Sequence, residues 1–374
     1  MMALKNFPER VLIEKGCEGL PYTQEILSRL TCPRVEIISD VRAYLKQIAP
    51  APSSLSSGKR ILLLMKNRGH FIKRCPGTRH HLCCLYLVLH HAAGCPLDCS
   101  YCILQAYLNN PFIVFYVNVE DMLAELRDVF SRVSGTILRI GTGEFTDSLA
   151  LEHITHTTRL LMPLLGQFPN VFLELKTKTA DIDSQLACEP RRRIIFSWSL
   201  NPEAVVRAEE TGTAPLKERL AAASKAQSAS GGHPIAFHFD PLLRFPGWEE
   251  AYTGVVRSLA DAVDLSRVLW VSMGTFRFPQ SLKHIMEERF PQNRLIYDEF
   301  IRGEDGKMRY FKPLRREMYA HVLRALRAAH PDVFTYLCME RDDVWDEVYG
   351  FHPENNLCLK KMLDERCLEA LLSH

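Results

Sequence analysis

The chain has 374 residues, 47% of them hydrophobic and 24% charged, with a formal net charge of +2. This is an ordinary globular composition on a chain too long for one small core, so we expect a catalytic domain with flanking pieces. No N-terminal apolar stretch is typical of a secretory signal, and apolar runs such as Ile61–Met65 are too short to span a bilayer. Twelve cysteines without a regular disulfide framework indicate reduced thiols. The composition predicts a cytoplasmic, prokaryotic protein with no membrane association.

Strand-like and helix-like segments alternate along the chain. One clear strand, Ile61–Met65, follows a Pro-, Ser- and Gly-rich linker at 49–58. Strand-like runs then occur at 85–90, 112–118, 136–141, 171–176, 194–200, 235–239 and 268–273, and helix-like stretches at 119–133, 153–165, 215–230 and 247–263. Strands that alternate with helices predict a parallel sheet with right-handed crossovers.

The C-terminal part has a different pattern. Runs at 294–300 and 307–311 around a turn at 303–306 predict a β-hairpin, followed by a helix at 314–329 and a strand at 334–339. Basic residues are frequent at 59–81 and, interleaved with aromatics, at 302–316, which suits a phosphate backbone and unstacked bases. We therefore predict an α/β protein with an N-terminal lobe (1–80), a sheet domain (81–290) and a C-terminal hairpin with a helical extension (291–374).

Cys95, Cys99 and Cys102 lie close together after an apolar run. At Cx3Cx2C spacing, three thiolates can bind three irons of a cubane cluster and leave the fourth iron open for a small molecule. Zinc is the main alternative, but structural zinc usually has four ligands in two distant pairs, and no second CxxC pair occurs in the sequence. Buried thiols without a ligand are the other alternative, although Pro96 and Asp98 favour an exposed turn.

This spacing resembles the radical S-adenosylmethionine (SAM) superfamily, in which an aromatic residue, here Tyr101, precedes the third cysteine. The resemblance implies a partial (β/α)6 TIM barrel and a four-iron–four-sulfur (4Fe-4S) cluster on the three cysteines. It also implies that the open iron binds the amino and carboxylate groups of SAM, whose cleavage yields methionine and a 5′-deoxyadenosyl radical. The active site would lie at the C-terminal ends of the barrel strands.

The strand ends supply further candidates for SAM binding. The run Gly141-Thr-Gly143-Glu144 resembles the superfamily motif that binds the SAM amino group, and its glycines allow close approach of the backbone. At the next strand end Lys178, with Lys176 as the alternative, is expected to pair with the methionine carboxylate. A plain strand-to-helix turn and an exposed strand end are the structural alternatives.

The remaining strand ends are expected to complete the site. Ser199 and Asn201 are candidates for hydrogen bonds to the SAM carboxylate or ribose, with a helix N-cap as the competing role of Asn201. The ends at 238–240 and 274–277 are expected to line the substrate or adenosine side.

Within the superfamily, the chain resembles the spore photoproduct lyase family, which repairs a thymine dimer of ultraviolet-damaged DNA. The similar stretches are 94–95, 116–120, 151–155, 177–180, 199–201 and 247–250, and they continue faintly to the hairpin near residue 306. The resemblance implies damaged DNA as substrate, an external electron donor such as flavodoxin or ferredoxin, and carbon–carbon lyase-like chemistry. It also implies that the C-terminal hairpin opens the duplex, for which the segment 302–316 is the candidate.

Two positions depart from the family pattern. A hydrogen-donating cysteine at the end of the third strand is replaced by Glu144, and a relay tyrosine after the third cluster cysteine is replaced by Ile103. Tyr101 and Glu144 are therefore the catalytic candidates, and Cys338 is a remote one because a buried strand thiol is usually inert. Two alternatives follow: a radical SAM enzyme of the same fold acting on a peptide, RNA or small molecule, and a non-enzymatic zinc or iron–sulfur DNA-binding protein.

Overall fold

The computed structural model describes residues 7–31, 33–48, 52–75, 77–78, 80–133 and 135–372. Parts of three sequence predictions lie outside the described residues: the N-terminal residues 1–6, residues 49–51 of the linker and residue 79 of the first basic segment. None of the described helices is long and apolar enough to cross a membrane.

Strands and helices follow one another throughout the described chain. The N-terminal elements are β1 (Arg10–Glu14), α1 (Pro21–Ser28), β2 (Arg34–Ile38), α2 (Val41–Gln47), α3 (Pro52–Gly58), β3 (Ile61–Met65), β4 (Ile72–Arg74), β5 (Leu87–Leu89), β6 (Ala92–Ala93), β7 (Asp98–Cys99) and α4 (Leu104–Tyr107). The middle elements are β8 (Ile113–Tyr116), α5 (Val119–Arg132), β9 (Leu138–Gly141), α6 (Glu152–Thr155), α7 (Thr157–Gln167), β10 (Val171–Thr177), α8 (Asp183–Leu186), β11 (Ile194–Ser199), α9 (Glu203–Glu209), β12 (Glu210–Thr211), α10 (Leu216–Ser228), β13 (Ile235–Leu242), α11 (Trp248–Ala262) and β14 (Val268–Thr275). The C-terminal elements are β15 (Arg277–Pro279), α12 (Gln280–Arg289), β16 (Phe300–Arg302), β17 (Lys307–Tyr310), α13 (Lys312–Ala329), β18 (Thr335–Leu337), α14 (Asp342–Tyr349) and α15 (Asn356–Leu372).

The larger sheet, called the barrel sheet below, has the strand order β18-β14-β13-β11-β10-β9-β5-β4. Neighbouring strands are parallel from β5 to β18, and β4 pairs antiparallel with β5 at one edge. Its central strands are buried along their length, as in β14, which explains their continuous apolar sequences. Helices return the chain between strands, for example α7 between β9 and β10. This arrangement confirms the partial α/β barrel expected from the sequence.

Amphipathic patterns explain why the connecting segments are helical. In α5 the buried residues Val119, Met122, Leu126 and Phe130 recur every three or four positions and form one apolar stripe. Two acidic residues in its first turn and Arg132 in its last turn complement the helix dipole. The apolar stripe and the charges at the two ends both favour a helix, and α5 accordingly falls within the predicted segment 119–133.

A second sheet, the N-terminal sheet, has the strand order β2-β1-β3-β8-β6. β8 covers most of the run at 112–118, which the sequence analysis placed in the barrel, but it pairs with β3 instead. That placement was wrong because a short buried strand has the same apolar sequence in either sheet, so its pattern does not identify its partner.

Three other sequence predictions differ from the structure. The linker at 49–58 contains the helix α3, whose first residue is Pro52, a residue that favours the first turn of a helix. The strands β1 and β2 were not predicted. The segment 294–300 contains a single 3-10 turn, Leu295–Tyr297, so only β16 and β17 form the hairpin, and β17 also pairs with β15.

The two edges of the barrel sheet meet at a contact that we call the seam. The Leu82 backbone N–H donates to the Glu340 carbonyl over 2.8 Å, and the two residues form an isolated antiparallel bridge. Leu82 precedes β5 and Glu340 follows β18, which occupies the predicted strand at 334–339. The seam therefore brings the segment between β4 and β5 against the end of the last barrel strand.

Candidate active site

Three cysteines of the loop after β5 line one wall of a cavity of about 260 Å³. Cys95, Cys99 and Cys102 face groups from the C-terminal ends of β9, β10 and β11 across this cavity. Parallel barrels place their reactive groups at this end of the strands. We call this the cluster cavity, and the segment 94–105 the cluster loop.

Charged and backbone contacts hold the cluster loop in place. The Asp98 carboxylate pairs with Lys59 at 3.1 Å and with Arg289 at 2.9 Å. The Gln105 amide donates to the Cys99 carbonyl at 3.2 Å and to the Ser100 carbonyl at 2.8 Å. β7 pairs antiparallel with β12, so the loop is fixed at its centre as well as at its ends.

The chemistry of the three thiols fits an iron–sulfur cluster. Burial raises the pKa of Cys95 to about 12, with Asp147 adding to the effect, and burial with the nearby Glu210 raises the pKa of Cys99 well above its ordinary value. Thiolates in such a place need bound cations, which iron would supply. No three His, Cys, Asp or Glu side chains in the described residues surround a single-ion position, whereas a cubane requires only one thiolate per iron.

Glu144 stands on the opposite wall of the cluster cavity. Its carboxylate accepts a hydrogen bond from the Tyr86 hydroxyl at 2.5 Å and forms an ion pair with Lys176. Burial lowers and the Glu144 charge raises the pKa of Lys176, and the net shift is upward. A Cβ on Gly143 would lie 2.8 Å from the Lys176 Cβ, so this close approach requires glycine. The lysine that pairs with Glu144 is thus Lys176, while the choice between Lys178 and Lys176 for the methionine carboxylate stays a prediction.

Asp147 organises the turn that follows Glu144. Its carboxylate accepts hydrogen bonds from the backbone N–H groups of Leu149 and Ala150, each at 2.9 Å, from the Thr177 hydroxyl at 2.7 Å and from the Lys178 N–H at 2.8 Å. The residue lines the cluster cavity and links the ends of β9 and β10. The sequence analysis did not assign it a role, although an aspartate in the turn after a strand is a common turn former.

A buried network lies behind the cluster loop, centred on Glu210. Its carboxylate accepts from Tyr101, from Asn201 at 2.9 Å and from Arg219 at 2.5 Å, and lies 3.6 Å from the Lys178 ammonium. Burial raises the pKa of Glu210, but Lys178 and Arg219 outweigh it and bring the value to about 2. The network therefore holds an ionised carboxylate beneath the cavity wall.

The structure brings most of the predicted site residues together. Those that line the cluster cavity are Cys95, Cys99, Tyr101, Cys102, Gly143, Glu144, Lys178 and Ser199. Gly141 and Asn201 are not part of its lining: Gly141 packs against the Tyr86 ring, and Asn201 bonds Glu210 and the Tyr252 hydroxyl. For these two residues the expectation of direct SAM contact does not match their position. Gly141 is the last residue of β9 and Asn201 follows β11, and both contact the protein interior instead of the cavity.

A second cavity of about 170 Å³, which we call the seam cavity, adjoins the first. Glu144, Lys176, Asp240 and Arg277 are among the residues that line both. Asp240 and Arg277 form an ion pair at 3.2 Å, and His238 lies 2.7 Å from Glu174 on the seam-cavity wall. The predicted strand ends at 238–240 and 274–277 thus lie where substrate was expected, although the finer choice between substrate and adenosine stays a prediction.

The hairpin has a different character from the one expected. Tyr310 is completely buried, and its hydroxyl accepts the Arg244 N–H at 3.0 Å. Arg309 is buried and pairs with Asp305 at 2.7 Å, while Lys312 pairs with Asp343 at 2.8 Å. Within the segment 302–316, which the sequence analysis assigned to duplex opening, packing against the barrel therefore turns Tyr310 and Arg309 inward, whereas Lys312 stays partly exposed. The exposed side chains of the segment 300–316 include Ile301, Arg302, Phe311 and Arg316.

Known proteins similar to this chain were identified by sequence and by structure. The family model described as "Spore photoproduct lyase" matches residues 85–332. The spore photoproduct lyase of Bacillus subtilis (strain 168) is 26% identical over 341 residues, which cover 87% of this chain and 95% of that protein. The spore photoproduct lyase of Geobacillus sp. (strain Y412MC61) is 29% identical over 258 residues, which cover 65% of this chain and 75% of that protein.

Solved structures give the same relationship. A spore photoproduct lyase with one cysteine replaced by alanine has a TM-score of 0.78 and 25% identity, over 89% of this chain and 100% of the other. A mutant of that kind with dinucleoside spore photoproduct has a TM-score of 0.77 at 25% identity, with the same coverage.

Proposed function

The chain belongs to the spore photoproduct lyase family, and we propose that it reverses a thymine dimer of ultraviolet-damaged DNA by radical SAM chemistry. The observation that carries the proposal is the cluster cavity, where three cysteines at Cx3Cx2C spacing face carboxylate, ammonium and hydroxyl groups at the barrel strand ends. A non-enzymatic zinc or iron–sulfur protein would have no use for that opposite wall. The family match over the barrel favours a DNA lesion over a peptide, an RNA or a small molecule.

Cys95, Cys99 and Cys102 hold the 4Fe-4S cluster in this proposal. The bound cluster and SAM supply a 5′-deoxyadenosyl radical, the species that starts the reaction on the substrate. Glu144 accepts a hydrogen bond from the SAM amino group, and Lys178 or Ser199 binds the methionine carboxylate. Lys176 orients Glu144, because the two side chains already form an ion pair.

Tyr101 has a positioning role in this proposal. Its ring lines the cluster cavity while its hydroxyl is bound to Glu210, and the Lys178 ammonium lies 5.8 Å from the ring centroid. A phenol engaged with a buried carboxylate fixes the ring against the cluster loop. Tyr101 thus shapes the cavity beside the cluster.

Damaged DNA is the partner, and the face near the hairpin is where it approaches. The seam cavity opens beside the cluster cavity and accepts the flipped lesion, while exposed Arg302 and Phe311 contact the flanking backbone and a neighbouring base. An external one-electron donor of the flavodoxin or ferredoxin class reduces the cluster. A DNA substrate and a reduced cluster agree with the cytoplasmic location expected from the sequence.

Anaerobic reconstitution tests the proposal directly. The protein with iron and sulfide is mixed with SAM, a reductant and dinucleoside spore photoproduct, and 5′-deoxyadenosine and repaired thymine dinucleoside are quantified. We expect both products. Formation of 5′-deoxyadenosine without repaired dinucleoside would redirect the assignment to another radical SAM substrate, and stoichiometric zinc without sulfide would reject the cluster.

A further inference from the structure

Four cysteines from distant parts of the chain meet in the seam cavity. Cys75, Cys83 and Cys84 come from the segment between β4 and β5, and Cys338 follows β18. The Leu82–Glu340 bridge places these two segments side by side. None of the four belongs to the cluster loop, and no step of the proposed function uses them.

A shared cavity wall relates these thiols to one another, and one contact links them to the cluster cavity. Cys75, Cys83 and Cys84 line the same stretch of the seam-cavity wall. The Arg277 guanidinium lies 3.7 Å from the Cys338 sulfur and also lines the cluster cavity. Arg277 therefore connects Cys338 to the cluster cavity, where the radical would be formed.

Glu144, on the opposite wall, is not a comparable hydrogen source. Its carboxylate accepts from Lys176 and Tyr86 and has no hydrogen to donate in these contacts. Thiols are different, because an S–H bond is weak enough to give its hydrogen atom to a carbon radical. Burial, with Asp240 as the next cause, raises the pKa of Cys338 well above its ordinary value, so the thiol keeps its hydrogen.

We propose that Cys338 donates the hydrogen atom that quenches the product carbon radical, with Cys83 and Cys84 forming the thiol-rich wall beside it. This inference rests on the proposed function and names a further catalytic residue for it. The Cys338 side chain reaches the substrate from the last barrel strand, on the seam side of the lesion.

The step balances in atoms and electrons. The S–H bond of Cys338 breaks homolytically, a C–H bond forms on the product, and a thiyl radical remains on the sulfur. One electron from the external donor and one proton from water then restore the thiol. Each repaired lesion consumes one electron for this step besides the one used in radical formation.

Isotope transfer tests the donor. In deuterium oxide the thiols carry deuterium, so a single turnover of the reconstituted enzyme should place one solvent-derived deuterium in the repaired product. Cys338→Ala and Cys338→Ser should form 5′-deoxyadenosine yet lose that label, whereas Cys188→Ala, at a half-buried thiol outside both cavities, should retain it. Retention of the label in both Cys338 variants would overturn the donor assignment while leaving the proposed function intact. Absence of 5′-deoxyadenosine and product from the parent enzyme would overturn both.

A measurement without turnover tests the position of the thiol. The reconstituted enzyme, without reductant, is treated for hours with excess iodoacetamide at alkaline pH, because the protonated Cys338 thiol reacts slowly, and alkylation of each cysteine is followed by peptide mass spectrometry. Dinucleoside spore photoproduct should slow alkylation of Cys338 severalfold and leave Cys188 unchanged. An equal rate at Cys338 with and without the dinucleoside would show that substrate does not reach this thiol and would overturn the proposal.

Discussion

The cluster loop and the C-terminal hairpin both stood out in the sequence, but they differ in whether the selected side chains line a cavity or are buried. In the cluster loop, the three cysteines selected by their spacing line the cavity. In the hairpin, the segment 302–316 was selected by composition, and its residues Tyr310 and Arg309 are buried in structural contacts. Spacing within one loop fixes ligand geometry locally, whereas a basic and aromatic composition does not say which side chains face outward.

The two regions also differ in how they are held. Asp98 fastens the cluster loop to Lys59 and Arg289, Gln105 bonds back to Cys99 within the loop, and the buried network of Glu210 supports it from behind. The hairpin is held by β15 on one side and presents Ile301 and Arg302 on the other. A rigid ligand loop and a partly exposed edge are what metal binding and DNA contact respectively require.

The largest effect is expected from the cluster thiols. Replacing Cys95, Cys99 or Cys102 with alanine should abolish SAM cleavage, because two thiolates do not hold a cubane. Iron and sulfide analysis of the anaerobic protein and 5′-deoxyadenosine formation are the measurements. Cys188→Ala is the matched control and should behave as the parent. SAM cleavage that survives in any of the three variants would assign the cluster to other ligands.

The next largest effect is expected from Glu210, which supports the cluster loop from behind. Glu210→Gln leaves the buried Arg219 without its carboxylate, and loss of one partner from such a pair costs about 3–5 kcal/mol of unfolding free energy. The pKa of Glu210 is about 2 in the folded chain, below its ordinary value of 4.5. The contribution of Glu210 to the unfolding free energy is therefore complete above pH 4.5 and is lost as the pH falls towards 2.

Chemical denaturation at several pH values checks this support. The parent should lose unfolding free energy between pH 4.5 and 2 more steeply than Glu210→Gln, because the variant lacks the titrating group. Glu317→Gln, at an exposed position of α13, is the control and should match the parent. If the unfolding free energies of the parent and Glu210→Gln fell in parallel with pH, Glu210 would not be a cause of the acid dependence.

A smaller effect is expected on SAM affinity. Glu144→Ala removes a charged hydrogen bond worth about 1.5–3 kcal/mol, so SAM should bind about tenfold more weakly or worse. Calorimetry on the reconstituted protein without reductant measures it, with Glu120→Ala as the control. Equal affinities in parent and Glu144→Ala would place Glu144 outside the SAM site and on the substrate side, near the seam cavity that it also lines.

Sequence reasoning was most successful where the information is local. The six parallel strands β5, β9, β10, β11, β13 and β14 fall on predicted runs, and the cluster cysteines follow from spacing alone. The sheet that accepts β8, the lysine that pairs with Glu144 and the meeting of Cys83 with Cys338 are settled by tertiary contacts. No spacing rule connects residues so far apart in the chain, so these features became visible only in the structure.

The hairpin should give the smallest and most specific effect. Arg302 is exposed at the end of β16, so Arg302→Gln should weaken binding of damaged duplex modestly and reduce the log–log salt slope by about 0.9, the value for one phosphate contact. Phe311→Ala should instead remove about 1–3 kcal/mol of stacking on a splayed base and leave the slope unchanged.

Fluorescence anisotropy over a salt series separates the two variants. Lys361→Gln, at an exposed position on α15, is the charge-matched control and should keep the parent slope. If Arg302→Gln and Lys361→Gln changed the slope equally, the hairpin would have no special place in DNA contact. The exposed side of the hairpin would then have only a structural role, as its buried side has. The lesion would have to be recognised from the seam cavity alone.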